Sequence, residues 1–158
     1  MHVVVIHPEI AGNTGNIIRL CANTGTTLHL VEPLGFSLED KLLQRAGLDY
    51  HDLADVCVHR TWAACQEALP PAERWALTSR GTTSYSDAPI GHNDVLVYGC
   101  ESAGLSSTIL EEFSGDHQVR IPMRPNNRSL NLANSVALVV YEVWRRHDFI
   151  GADNAPHR

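Results

Sequence analysis

No stretch of this 158-residue chain is apolar for long enough to cross a bilayer. The longest apolar runs, Val3 to Ile6 and Val136 to Val140, fall far short of the roughly 20 residues that a spanning helix needs. The chain opens directly into a strand-like run with no basic segment before it, so no secretory signal is expected. Its four cysteines, Cys21, Cys57, Cys65 and Cys100, form no C-x-x-C pair. Cys21 and Cys57 sit in apolar patterns, which predicts reduced, buried thiols and a cytoplasmic location. The nine histidines include no H-x-x-x-H spacing and no Cys/His cluster along the chain, so no metal is expected. Repeats and low-complexity linkers are also missing. What remains is an ordinary globular composition, 44% hydrophobic and 19% charged. It suits a single domain over 1–150, with 151–158 as a disordered tail.

One further absence is local. The formal charge of −6 argues against indiscriminate nucleic-acid binding over the whole surface. Yet residues 117–141 contain no acid, while Arg120, Arg124 and Arg128 fall within nine residues. Such a patch suits a phosphate-bearing partner; a solvated loop that happens to be arginine-rich would read the same way.

The patterning present is an alternation of short apolar runs with helical stretches. Strands are predicted at 2–7, 27–32, 55–59, 74–79, 94–99 and 118–122. Helices are predicted from Asn13 or Thr14 as N-cap through Asn23, stopped by Gly25, and from the capping-box pattern Ser37-Leu-Glu-Asp40 to Gly47. Others run from Thr61 through Leu69 and over 106–113, and 81–91 reads as a loop. Several strands are apolar throughout, as in a parallel sheet covered on both faces, so the fold class is α/β. Ligands of such sheets bind beyond the carboxyl ends of the strands, where the polar loops 8–16, 99–104 and 122–131 should gather.

The last of these loops introduces the most apolar helix. In Ile121-Pro-Met-Arg-Pro-Asn-Asn-Arg128, two prolines fix φ and two asparagines tolerate the left-handed region. From Ser129 to about His147 the pattern is helical. Leu132, Ala133, Val136, Ala137, Val139, Val140, Val143 and Trp144 leave only a narrow polar stripe, so this helix should be buried on more than one side, by core or by a second subunit.

Two familiar motifs are incomplete. Gly12-Asn-Thr-Gly15 lacks the G-x-G-x-x-G order of a dinucleotide site and reads equally well as a helix cap. Ser102 lies in a strand-to-helix turn, with Asp116 and His117 downstream, but Cys100 stands where a nucleophile elbow needs glycine.

Three stretches in order carry a stronger signal: Asn13-Thr-Gly-Asn-Ile-Ile-Arg19, Gly99-Cys-Glu-Ser-Ala-Gly104, and Ile121-Pro-Met through Asn127-Arg-Ser-Leu-Asn-Leu-Ala-Asn-Ser135. Together with Pro33-Leu-Gly-Phe36 and Gly47-Leu-Asp-Tyr-His51, they resemble the SPOUT-class RNA ribose 2′-O-methyltransferases, in particular the small single-domain group acting on the wobble nucleotide of tRNA. The resemblance implies S-adenosylmethionine as methyl donor, S-adenosylhomocysteine as product, tRNA as partner, a homodimer and a C-terminal trefoil knot. It places the cofactor against Leu77, Thr78, Ser79, Gly99, Glu101, Gly104, Ile121, Met123, Ser129 and Leu130. It makes Arg19, Ser129 and Asn131 catalytic, with Arg19, Arg124 and Arg128 on RNA and Tyr141 near the dimer interface. The rival reading keeps the fold but loses turnover, or moves the target to ribosomal RNA or another tRNA position.

Physical chemistry qualifies two of these roles. Deprotonating an arginine at pH 7 costs about 7–9 kcal/mol, so Arg19 is better read as a phosphate clamp that stabilises a developing alkoxide than as a free base. The family pattern also carries Pro, Thr and Arg where this chain has Cys100, Ser102 and Ala103. Losing arginine at 103 removes a phosphate-matching cation, which puts RNA affinity at stake more than cofactor binding.

Overall fold

A computed structural model describes residues 1–37 and 56–153. Seven strands form one parallel sheet: β1 (His2–Ile6), β2 (Thr27–Val31), β3 (Val56–His59), β4 (Arg74–Leu77), β5 (Thr83–Ser84), β6 (Val95–Tyr98) and β7 (Gln118–Arg120). Their order across the sheet is β3-β2-β1-β6-β4-β7-β5. Register is uniform through the centre, with Val3 opposite both Leu28 and Leu96, and Trp75 also opposite Leu96. Four α-helices are described, α1 (Ala11–Thr24), α2 (Trp62–Ala68), α3 (Ser107–Leu110) and α4 (Leu132–Arg146), with a 3-10 turn at Gly115–His117. No described helix is long and apolar enough to cross a membrane.

Because successive side chains alternate across a strand, apolar strands fill two cores. Val3, Val5, Leu28, Leu30, Leu96 and Val119 pack on one face with Ile17 and Ile18 of α1 and Val136, Val139, Val140 and Val143 of α4. Val4, Ile6, Val31, Val95 and Val97 pack on the other face with Cys65, Leu110 and Phe113. The expected doubly covered α/β sheet is what forms.

Several boundaries differ from expectation, each for a local reason. Helix α1 starts at Ala11, so Asn13 and Thr14 are buried residues of its first turn and not caps; Gly25 does end it, in the left-handed region at φ 63°. Thr61 caps α2 as expected, accepting from the N–H of Ala64. Ser106 caps α3 instead of belonging to it, accepting from the N–H of Ile109, and that helix ends at Leu110, short of the expected 113. The 81–91 loop contains β5, a two-residue strand too short to show a period, which pairs with β7. Helix α4 begins at Leu132, because Asn131 caps it, and so Ser129 and Leu130 belong to the loop. Cys21 is buried, but Cys57 is exposed on the edge strand β3. The helix expected over 37–47 and the Gly47–His51 stretch lie outside the described residues, as do residues 154–158 of the tail.

On the side of the sheet away from α1 and α4, three histidines stand in a row. His2 Nδ1 lies 3.1 Å from His29 Nε2, and His29 Nδ1 lies 2.9 Å from His59 Nε2. Burial, then the neighbouring His2 and His59, pushes His29 down to about 4, so its ring is neutral at pH 7.

The C-terminal end of α4 is tied to the 85–88 loop by one side chain. Arg146 donates to the carbonyls of Ala88 (2.6 Å), Tyr85 (2.9 Å) and Ser86. Glu142 accepts from both Arg145 and Arg146, and these bonds push its carboxyl down to about 2. Replacing Arg146 by Met keeps the apolar stem but strips three carbonyls of a charged donor; a loss of about 2–3 kcal/mol is expected in urea unfolding. Since the folded state holds Glu142 below its ordinary value, the contribution is full above about 4.5 and is lost as pH falls towards about 2. Thermal unfolding of Glu142→Gln should therefore depend less steeply on pH across that window than the wild type.

Candidate active site

Strand order reverses direction between β1 and β4. The chain passes outward from β1 through β2 to β3, then crosses to the far side and returns through β6. Beyond the carboxyl ends of β4, β6 and β7, at this switch, lies a cavity of about 390 Å³. That is within the range of small-molecule and cofactor sites. Three loops wall it: 77–80 after β4, 99–105 after β6, and Ile121, Met123 and 129–131 after β7; Ile10 and Asn13 of the α1 entrance close it.

Side-chain bonds interlock these segments. Glu101 accepts from the backbone N–H groups of Glu9 (2.7 Å) and Ile10 (3.2 Å) and from Asn13 Nδ2 (3.1 Å). Helix α1 has no cap of its own, since its N-cap residue is Ile10. A carboxylate from 88 residues further along supplies one, favoured by the positive end of the helix dipole. Glu9 returns the contact by accepting from the backbone N–H (2.8 Å) and hydroxyl (2.7 Å) of Ser102. On the other side, Asn13 Oδ1 accepts from Asn131 Nδ2 (2.9 Å), and Asn131 Oδ1 accepts from the N–H of Asn134 to cap α4. One relay, Glu101–Asn13–Asn131, thus joins the loop after β6 to the starts of both helices.

Backbone shape does the rest. The Cys100 carbonyl accepts from the Gly104 N–H at 2.9 Å, folding 100–104 into a tight turn with Gly104 at φ 70°. A Cβ on Gly99 would lie 1.9 Å from the Gly104 carbonyl carbon, so only glycine permits the approach. Asn126 takes the left-handed conformation expected of it, at φ 64°. The floor is apolar at Leu77 and Val119; Tyr98 adjoins it, with its hydroxyl buried in the core and without a partner among the described residues. Burial pushes that hydroxyl's pKa up, so it stays protonated and able to donate.

All ten residues expected at the cofactor line this cavity, and so does Asn131. Glu101 does so with both carboxylate oxygens already engaged by the α1 entrance, as a frame member. Ser129, Met123 and Leu130 are exposed in the single chain. Arg19, Arg124 and Arg128 are exposed and do not line the cavity. Tyr141 is 45% exposed on α4, edge-on to Trp144. Sequence reasoning missed Asn13, Tyr98 and Glu9. Asn13 reads locally as a helix cap, and nothing local in the chain pairs Glu9 with Ser102. The hydrolase alternative does not assemble: Ser102 bonds Glu9, while His117 bonds Ser114 and Glu73.

Comparison with known proteins agrees with this geometry. The SpoU rRNA Methylase family matches residues 1–141. A tRNA (cytidine(34)-2′-O)-methyltransferase of Methylovorus glucosotrophus is 57% identical over 150 residues, covering 95% of this chain and 97% of that one. A solved structure described as bearing on 2-OH methylation of C/U34 on tRNA is 42% identical at a TM-score of 0.86, covering 93% and 95%. The SpoU methyltransferase AviRb of Streptomyces viridochromogenes, solved with AdoMet, shares the fold: 24% identity, TM-score 0.75, 94% of this chain and 58% of that one. With the match spanning all three motifs and the whole sheet, the chain belongs to the SpoU rRNA Methylase family.

Proposed function

We propose that this protein transfers a methyl group from S-adenosylmethionine to the ribose 2′-hydroxyl of the wobble nucleotide, cytidine or uridine, of a tRNA. The observation that carries the reading is the convergence of the 99–104 and 121–131 loops on one cavity, locked to the 9–19 segment by Glu101, Asn13 and Asn131.

The cavity suits the cofactor. Main-chain groups of glycine-bearing loops can read an uncharged purine, and Leu77, Ile121 and Leu130 offer apolar walls. When bound, S-adenosylmethionine supplies an electrophilic methyl and leaves as S-adenosylhomocysteine. The protein's own work is positional and electrostatic. Ser129 and Asn131, at the lip of the cavity, would hold the ribose hydroxyl, and Asn131 is itself fixed through Asn13. Arg19 would bind the adjacent phosphate and stabilise charge developing on the ribose oxygen, with Arg124 and Arg128 holding the RNA backbone.

A homodimer belongs to the same proposal. Leu138 and Tyr141 are 43% and 45% exposed on a helix whose other apolar residues are mostly buried, which suits a subunit contact. Arg19 lies outside its own chain's cavity, and pairing of two chains offers a way to bring it to one. The C-terminal trefoil knot and a cytoplasmic location are parts of this reading as well.

Calorimetry with S-adenosylmethionine, followed by mapping of 2′-O-methyl marks on unmodified tRNA, tests the function; binding with no transfer to tRNA would sink it. Arg19→Ala is expected to keep cofactor affinity and to lose at least about 100-fold in transfer. Transfer at the wild-type rate in that variant would rule out the role assigned to Arg19. Gly99→Ala should fold less stably by about 1–3 kcal/mol and bind the cofactor at least about tenfold more weakly, because the new methyl group displaces the Gly104 main chain. Unchanged calorimetric affinity in that variant would mean that the 99–104 turn is no part of the cofactor wall.

A further inference from the structure

The histidine row lies away from the cavity, across β1, β2 and β3, and the proposed reaction gives it nothing to do. One more side chain completes it. A ring nitrogen of His29, a ring nitrogen of His59 and the sulfur of Cys65 all lie within 4.8 Å of one another. His29 is on β2, His59 ends β3, and Cys65 is in α2, so the three come from separate elements. No short spacing along the chain could announce them, which is why the sequence led to an expectation of no metal. His29 and Cys65 are 4% and 0% exposed, and His59 is half-buried at the sheet edge, so the group is enclosed yet reachable.

We propose that His29, His59 and Cys65 form a binding site for a thiophilic divalent cation, zinc above all, which clamps the edge strand β3 and helix α2 to β2. Two imidazole nitrogens and a thiolate are the donors that zinc selects, in a tetrahedral arrangement whose fourth position falls to solvent at the exposed edge. The facing nitrogens of His29 and His59 are 2.9 Å apart, and two nitrogens on one tetrahedral ion stand about 3.3 Å apart, so the rings need to part by only about 0.4 Å to admit it. Binding replaces their mutual hydrogen bond by two metal bonds and releases the Cys65 proton to solvent. His2 then acts as an outer partner: at 3.1 Å from His29 Nε2, it holds that ring with its other nitrogen turned to the ion.

The experiment is titration of the metal-stripped full-length protein with Zn²⁺ and Co²⁺. Co²⁺ should give the intense visible bands of a tetrahedral site together with a near-ultraviolet thiolate-to-cobalt charge-transfer band. Zn²⁺ at about 100-fold excess over its Kd should raise Tm by about 5 °C or more. Cys65→Ser should abolish the charge-transfer band and His59→Ala the tetrahedral spectrum. His2→Ala should weaken Zn²⁺ at least about tenfold, and Cys57→Ser should change nothing. His59 is at the sheet edge and Cys65→Ser nearly isosteric, so both variants are expected to fold, with circular dichroism as the check. Three outcomes would overturn the assignment: no tetrahedral Co²⁺ spectrum in the wild type, a spectrum that survives Cys65→Ser and His59→Ala, or one lost in Cys57→Ser instead. In the first case the row is a hydrogen-bonded ladder and nothing more.

Discussion

The carboxylate of Glu101 is the constraint on which the site depends. A helix that begins with Ala11 and Gly12 after an isoleucine has no side chain of its own to satisfy its first N–H groups. Glu101, from across the sheet, holds the N–H groups of Glu9 and Ile10 just ahead of that helix, and in doing so fixes where the loop after β6 stands relative to the end of β1. Asn13 passes the constraint on to Asn131, which caps a second helix. Capping is usually a local affair between neighbours in the chain. Here it is the device by which three distant segments are held in register, with β1 and β6 paired beneath them.

The fold was legible in the sequence because its main determinants are local. Continuous apolar runs such as Val95 to Tyr98 signal strands buried on both faces, and the capping residues Thr61, Ser106 and Gly25 mark real helix ends. The misreadings share one cause, the diversion of a locally plausible residue to a distant partner or place. Asn13 looks like a cap and is a bridge. Cys57 looks like a core residue, in a run of apolar neighbours, but it lies on a strand at the border of the sheet. The β5 pairing depends on β7, far along the chain, and two residues carry no period of their own.

The site was legible in a different sense. Motif resemblance named ten cofactor residues, and the structure gathers them around one cavity at the strand ends where parallel sheets bind ligands. Residue roles were less accessible, since a role depends on what a side chain has left to offer. Glu101 lines the wall with its oxygens already engaged, which no motif could signal. The arginines are different again. Their charge could be counted from the chain, but their position outside the cavity could not.

The contact between Gly99 and Gly104 has a consequence for how such a protein can diverge. Where two main-chain segments touch with no side chain between them, the wall of the cavity is written in peptide groups. The residues between them include Cys100, Ser102 and Ala103, which line the same cavity, and Ser102 keeps its link to Glu9 partly through its own N–H. Their side chains can change while the main chain of the turn stays where the two glycines set it. The turn therefore separates two inheritances: a main-chain path that tolerates almost no change, and a set of side chains along it free to be rewritten.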